Sequence, residues 1–192
     1  MPYALYIHGM GSGAKSGTKS SLGHYLPQYE WLSPELPTDP DAALALLRDW
    51  QNVFQPELIC GTSAGGLYTI FLEAPIKVAI NPTYNIDTTL RRLGYGKHKY
   101  HCEREDGASE WTLDEPLVQA YRHLRDTEKP IACPRMIAFF SSDDELVGRE
   151  PAKKNALAMQ QLGYEVFWCN KFGHRLNQPA AKQLASIITA GV

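Results

Sequence analysis

The sequence predicts an α/β protein, a three-layer α/β/α sandwich with about six mostly parallel strands and a small insertion over their C-terminal ends. Three observations lead there. Short apolar runs alternate with stretches of helical periodicity along most of the chain, the signature of βαβ units and a parallel sheet. The 192 residues suffice for one domain with a sizeable core and are too few for two. The alternation breaks once, over about 83–129, an interval too long for a plain connection. The expectation is a single domain, 1–192, with a lid-like insertion at approximately 83–129.

In chain order, strands are expected at Tyr3–Ile7, Glu30–Ser33, Leu58–Cys60, Lys77–Ile80, Met136–Phe140 and Glu165–Cys169, each a short apolar run between turn residues. Helices are expected near Ser16–Leu26, Asp41–Phe54, Ala64–Glu73, Pro151–Leu162 and Pro179–Thr189. The second helix has a defined start. Thr38 or Asp39 can cap its free N–H groups, and Pro40 takes an early position where its missing donor costs nothing. The fourth has a defined stop, because Gly163 follows Leu162 where a left-handed residue is wanted. Within 83–129 only Leu117, Val118, Tyr121 and Leu124, behind Pro116, recur with helical spacing. The rest of that interval mixes charges, glycines and aromatics, and Tyr95, Tyr100 and Trp111 are expected to line one wall of a pocket.

Composition narrows the function classes. Hydrophobic residues make up 44% and charged residues 21%, ordinary for a soluble globular protein, and a net charge of −2 provides no field to gather nucleic acid or an anionic membrane. Neither is expected as a partner. The opening run Met1–Ile7 lacks a basic lead and breaks at His8-Gly9, too short for a signal peptide's apolar region. No other run approaches membrane-spanning length. The four cysteines, Cys60, Cys102, Cys133 and Cys169, are dispersed with no Cys-x-x-Cys pair. That favours a reduced, cytoplasmic setting over disulfides. His98, His101 and Cys102 lie close together without a second ligand cluster, so no metal is expected there, and no cofactor is expected elsewhere.

The stretch Ile7-His8-Gly9-Met10-Gly11-Ser12-Gly13-Ala14-Lys15-Ser16 is suited to hold an anion and admits three templates. A phosphate-binding loop would use Gly9 and Lys15-Ser16, but Ala14 occupies its second glycine. A dinucleotide fingerprint would use Gly9, Gly11 and Ala14, but it needs an acidic ribose partner about 20 residues on, and neither Glu30 nor Glu35 is well placed. The third template is a His-Gly turn after a first strand, whose backbone N–H stabilises a tetrahedral oxyanion. The loop by itself does not choose among them.

Leu58-Ile59-Cys60-Gly61-Thr62-Ser63-Ala64-Gly65-Gly66 does. It reads strand, Gly-x-Ser-x-Gly, helix, the context of a nucleophile elbow. Such a turn strains the serine backbone, needs glycines where strand and helix pass closely, and stands the Ser63 hydroxyl clear of the sheet, with the Ala64 N–H aimed at a developing oxyanion. A serine also needs a base oriented by a third group, and elbows of this kind are followed in the chain by an acid and then a histidine. After the apolar strand Met136–Phe140 comes Ser141-Ser142-Asp143-Asp144-Glu145-Leu146-Val147, and after the next strand comes Gly173-His174-Arg175. Adjacent parallel strands would bring these loops together beside Ser63. Asp144 is the preferred acid, Asp143 the runner-up, and Glu145 is read as a solvated first-turn residue. On this reading the N–H of Met10 is the second oxyanion donor, beside that of Ala64, and His8 shapes the turn.

With these residues in view the chain resembles the small bacterial α/β-hydrolase esterases of the YqiA/YcfP type. The resemblance rests on Tyr6-Ile7-His8-Gly9-Met10-Gly11-Ser12, Pro34-Glu35-Leu36-Pro37, the segment Leu58–Tyr68, Ala79-Ile80-Asn81-Pro82, Ser142-Asp143-Asp144-Glu145 and Gly173-His174, in order along nearly the whole chain. It implies a compact α/β-hydrolase fold and a serine hydrolase acting on ester or thioester bonds, with Ser63, Asp144 and His174 as its triad, and the short pocket-forming region points to small, soluble substrates. The turn before Asp144 has Ser142-Asp143 where glycine is common, and 91–110 matches nothing in that group, so no substrate preference carries over. The rival expectations are a hydrolase-like scaffold that binds without turnover and a nucleotide-binding protein using the loop from Gly9 to Ser16.

Overall fold

The computed structural model describes residues 1–170 and 172–190. The elements follow in order: β1 (Tyr3–Ile7), α1 (Gly17–Tyr25), β2 (Glu30–Leu32), α2 (Pro40–Phe54), β3 (Leu58–Thr62), α3 (Ala64–Tyr68), β4 (Ile76–Ile80), α4 (Ile86–Leu93), β5 (Gly96–Lys99), β6 (Glu110–Leu113), α5 (Glu115–Thr127), β7 (Arg135–Ser141), α6 (Arg149–Gln161), β8 (Glu165–Cys169) and α7 (Gln178–Thr189). Six strands form one sheet in the order β2-β1-β3-β4-β7-β8, every neighbouring pair parallel. β5 and β6 pair with each other, antiparallel, as a separate hairpin.

Strands buried on both faces must be apolar throughout, and the alternation of side chains then splits the core in two. Leu5, Ile7, Ile59, Ala79, Ala138 and Phe140 face one layer, where Leu44 and Leu47 of α2, Tyr68 of α3, Leu90 of α4, Tyr121 of α5 and Met159 of α6 meet them. Ala4, Tyr6, Cys60, Val78, Ile137 and Phe139 face the other, covered by Leu22 of α1 and by Ala181, Leu184 and Ile188 of α7. The result is the three-layer sandwich expected from the sequence. The sheet contains one anomaly, Lys77 on β4, which is fully buried. Its Nζ donates to the carbonyls of Ile70 and Ile131, joining the turn after α3 to the approach to β7. Burial pushes its pKa down.

Several boundaries move for local reasons. Asp39, rather than Thr38, caps α2, its side chain accepting from Ala42 N at 2.8 Å. Gly163 has φ 88°, the left-handed conformation expected after Leu162. The helix after Ser63 ends at Tyr68 and continues as a single 3-10 turn, Thr69–Phe71, where Thr69 Oγ1 donates to the Gly66 carbonyl. Between β4 and β7 the chain forms more than one helix. α4 and α5 pack into the larger core through Ile86, Leu90, Val118 and Leu124, and the β5–β6 hairpin, a sheet of its own, adds Trp111 and Leu113 to that core. Among the described residues no helix is long and apolar enough to cross a membrane, and the four cysteines are free.

Candidate active site

Because all six sheet strands are parallel, the loops after β1, β3, β4, β7 and β8 gather at one edge, where ligands of open α/β sheets bind. The turn after β3 carries a strained residue. Ser63 holds φ 57° and ψ −118°, a conformation that costs a non-glycine residue about 1–3 kcal/mol. Its surroundings leave no alternative: Ser63 N donates to Ile80 O at 2.9 Å, while its carbonyl accepts from Gly66 N at 3.0 Å and Thr83 N at 3.2 Å. The flanking glycines are required by close approach. A Cβ on Gly61 would overlap the Gly65 carbonyl, and one on Gly65 would overlap the carbonyl of Ile7. The Ala64 N–H is at the first helical position, where no intrahelical acceptor exists.

Asp144 and His174 come from the loops after β7 and β8 and meet directly. His174 Nδ1 donates to Asp144 Oδ2 at 2.9 Å, so Nε2 is the nitrogen left for a serine. Asp144 is buried, which by itself would raise its pKa. The His174 hydrogen bond and the N–H groups of Val147 (2.9 Å) and Leu146 (3.0 Å) outweigh that and hold the carboxyl below its usual range. Asp143 is exposed, and its backbone N–H donates to Ser141 Oγ at 3.1 Å. Ser63, His174, Met10 and Ala64 all line one cavity of about 910 Å³. Among the described residues Ser63 and His174 share this cavity without a hydrogen bond between them, a contact that in serine enzymes tightens when substrate enters.

The loop after β1 is fixed by buried charge. His8 Nδ1 donates to the Gly9 carbonyl at 3.0 Å, and its Nε2 accepts from Leu36 N at 3.2 Å. Glu35 Oε2 lies 3.7 Å from that nitrogen, but burial keeps the imidazole below its usual pKa and therefore neutral. Glu35 instead serves Ala14 N, which it accepts at 3.0 Å, and Arg104, whose guanidinium stands 3.1 Å away. Arg104 also donates to the carbonyls of Ser12 (3.2 Å) and Leu36 (3.1 Å) and lies over the Tyr100 ring at 4.4 Å. With His101 N donating to Gly11 O at 2.7 Å, the hairpin loop is sewn onto the turn that presents the Met10 N–H.

Three supporting residues were not singled out for these roles by sequence reasoning. Asn81, buried and at φ 43°, donates from Nδ2 to the carbonyls of Gly173 (3.2 Å) and His174 (3.1 Å), while its Oδ1 accepts from Ser141 N at 2.7 Å. Ser141 Oγ donates to the Phe172 carbonyl. Glu145, expected to be merely solvated, accepts the His174 N–H at 2.9 Å. Together they anchor the loop that carries His174. The available signal was Asn81-Pro82 itself, since asparagine tolerates positive φ better than most residues. Of the aromatics expected in a pocket wall, Trp111 lines the large cavity and Tyr100 a small one beside Met10 and Ala64. Tyr95 is 55% exposed and bonds Glu115 outside both.

No family model and no curated protein matches the chain. Solved structures do. Alpha/beta hydrolase domain-containing protein 10 from mouse superposes with a TM-score of 0.69 over 99% of this chain and 89% of its own, at 11% identity. The Est1E structure from Butyrivibrio proteoclasticus with bound ferulic acid gives 0.70 over 100% and 89%, at 13% identity. A monoacylglycerol lipase from Paleococcus ferrophilus gives 0.68 over 98% and 93%, at 12% identity. Identities this low speak to architecture alone, and on that ground the chain has the α/β-hydrolase fold.

Proposed function

We propose that the protein is a serine hydrolase that cleaves carboxylic ester or thioester bonds of small soluble substrates, of the kind found in the small YqiA/YcfP-type bacterial esterases. The observation that carries this reading is the 2.9 Å hydrogen bond to the buried Asp144 from His174, which lines the same cavity as the strained Ser63. Esterase and lipase neighbours of the same fold support it. His174, held in one tautomer by Asp144, takes the Ser63 proton through Nε2 as Oγ attacks the carbonyl carbon. The N–H groups of Met10 and Ala64 stabilise the tetrahedral oxyanion. His174 then protonates the leaving oxygen or sulfur, and a water, deprotonated by the same histidine, releases the acid from Ser63. Free cysteines support a cytoplasmic setting, and within segment 83–129, read as the lid-like insertion of a single domain, the β5–β6 hairpin, its loop and α4 wall the cleft while α4 and α5 also serve the core. Turnover of 4-nitrophenyl acetate tests the chemistry: Ser63→Ala is expected to lose at least about 1,000-fold in kcat, and wild-type turnover in that variant would contradict it.

A further inference from the structure

The cleft in front of Ser63 has two chemically different sides. α4 and the hairpin supply the apolar Ile86, Leu90, Leu93 and Trp111 to one, together with Arg92 and Lys99, and the loop after β7 adds Leu146. Lys15, Ser16, Thr18 and Arg175 come from the start of α1 and the approach to α7. Topology keeps these sets apart, since α1 and α7 cover one face of the sheet and α4 the other, with Ser63 at the end of a central strand. Gln178 Nε2 donates to Ser21 Oγ at 3.1 Å and ties α7 to α1, holding Lys15 and Arg175 on the same side. The Tyr6 hydroxyl, buried under the cleft, is hydrogen-bonded to Ser16 Oγ and Thr62 Oγ1, both at 3.1 Å, so the turn bearing Lys15 is fixed next to the serine elbow.

The charge of this cleft is not a consequence of composition. The chain carries a net charge of −2, yet the charged side chains lining the cleft among the described residues are Lys15, Arg92, Lys99, Arg175 and a single acid, Glu145. That acid is engaged with the His174 N–H. None of the four cations is ion-paired among the described residues, and Arg92 alone has a hydrogen-bond acceptor, the Val147 carbonyl at 2.7 Å. The first turn of α1 has no acidic residue. Burial first, and then the charges of Arg175 and His174, hold the His101 imidazole below its usual pKa. The Lys15-Ser16 end of the first loop, which fails as a phosphate loop by one glycine, has no part in the hydrolytic step.

We propose that the Lys15–Arg175 side of the cleft binds an oxyanion, carboxylate or phosphate, carried by the substrate, so that the preferred esters or thioesters have an apolar portion and an anionic portion. The assignment of the anion to a substrate rests on the hydrolase reading. The subsite itself does not, and the experiment separates them.

Binding to the intact protein is measured by calorimetry with butyl phosphate and with pentanoate, using 1-butanol as the neutral control. Turnover is compared within two matched pairs: butyryl-coenzyme A against butyryl-N-acetylcysteamine, and mono-(4-nitrophenyl) glutarate against 4-nitrophenyl pentanoate. A phosphate site is expected to bind butyl phosphate and raise kcat/KM for the coenzyme A thioester. A carboxylate site is expected to bind pentanoate and raise it for the glutarate. In either case the Lys15→Glu/Arg175→Glu double variant weakens binding by at least about tenfold and lowers the preference ratio correspondingly, whereas Lys182→Glu, an exposed charge on α7, retains both. No binding of either anion at concentrations on the order of 10 mM, or binding unchanged in the double variant, overturns the subsite even if neutral esters are hydrolysed. Anion binding without hydrolysis of any ester retains the subsite and overturns the hydrolase reading.

Discussion

Asn81 does at the scale of one residue what no motif describes. It bridges the end of β7 and the His174 loop through three hydrogen bonds of 2.7–3.2 Å, so its loss should misplace the base without touching substrate. Asn81→Ala is expected to lower kcat by about 10- to 100-fold with KM nearly unchanged, and steady-state kinetics on a 4-nitrophenyl ester checks it; an equal rise in KM would assign Asn81 to binding instead. His8 makes a second residue-scale prediction. Its pKa is lowered in the folded state, by burial first and by Arg104, against the Gly9 hydrogen bond and the carboxylates of Glu35 and Asp106. The unfolded chain therefore binds the proton more readily, and stability is lost as pH falls below the unfolded value of about 6.5. Urea denaturation between pH 7 and pH 5 should show this slope in the wild type and a flatter one in His8→Gln. The strained turn at Ser63 was legible from its pentapeptide context, Gly61 to Gly65, because the elbow is local. Asn81's role was not, since its partners are supplied by strands distant in sequence.

Among the elements, the legible ones are those whose burial writes a long periodic pattern. α2 and α7 have it, and so do the central strands, buried on both faces. α4 is eight residues long and buries only Ile86 and Leu90, too thin a pattern to stand out. β5 reads Gly-Lys-His-Lys and has no strand propensity of its own; pairing with β6, whose Trp111 and Leu113 are buried, makes it a strand. The hairpin loop is held by Arg104, whose side chain is 3% exposed, against Glu35. Arg104 is also ion-paired with Asp106, so it is removal of Arg104 that leaves a charge, the largely buried Glu35 carboxylate, without its cation. Arg104→Met is expected to cost about 3–5 kcal/mol in urea unfolding, and Arg104→Met/Glu35→Gln to recover part of it. If the single variant costs nothing, the hairpin is not anchored by this pair.

For the molecule as a whole, the sequence predicted the architecture because a parallel sheet with helices on both faces repeats one local grammar, strand then helix, for most of the chain. The grouping of the candidate residues was legible for the same reason, since parallel strands deliver their C-terminal loops to one edge, and Ser63, Asp144 and His174 each stand just after a strand. What surrounds them depends on contacts between segments far apart in sequence, among them the Glu35–Arg104 pair and the cationic lining of the cleft, and local pattern does not encode these. The most direct measurement is labelling of the folded protein with a fluorophosphonate, read by intact mass. One adduct on wild type, absent in Ser63→Ala and slowed by at least about 100-fold in His174→Ala, is the expected result. A wild-type protein that stays unlabelled, or an adduct that persists in Ser63→Ala, would contradict an activated Ser63.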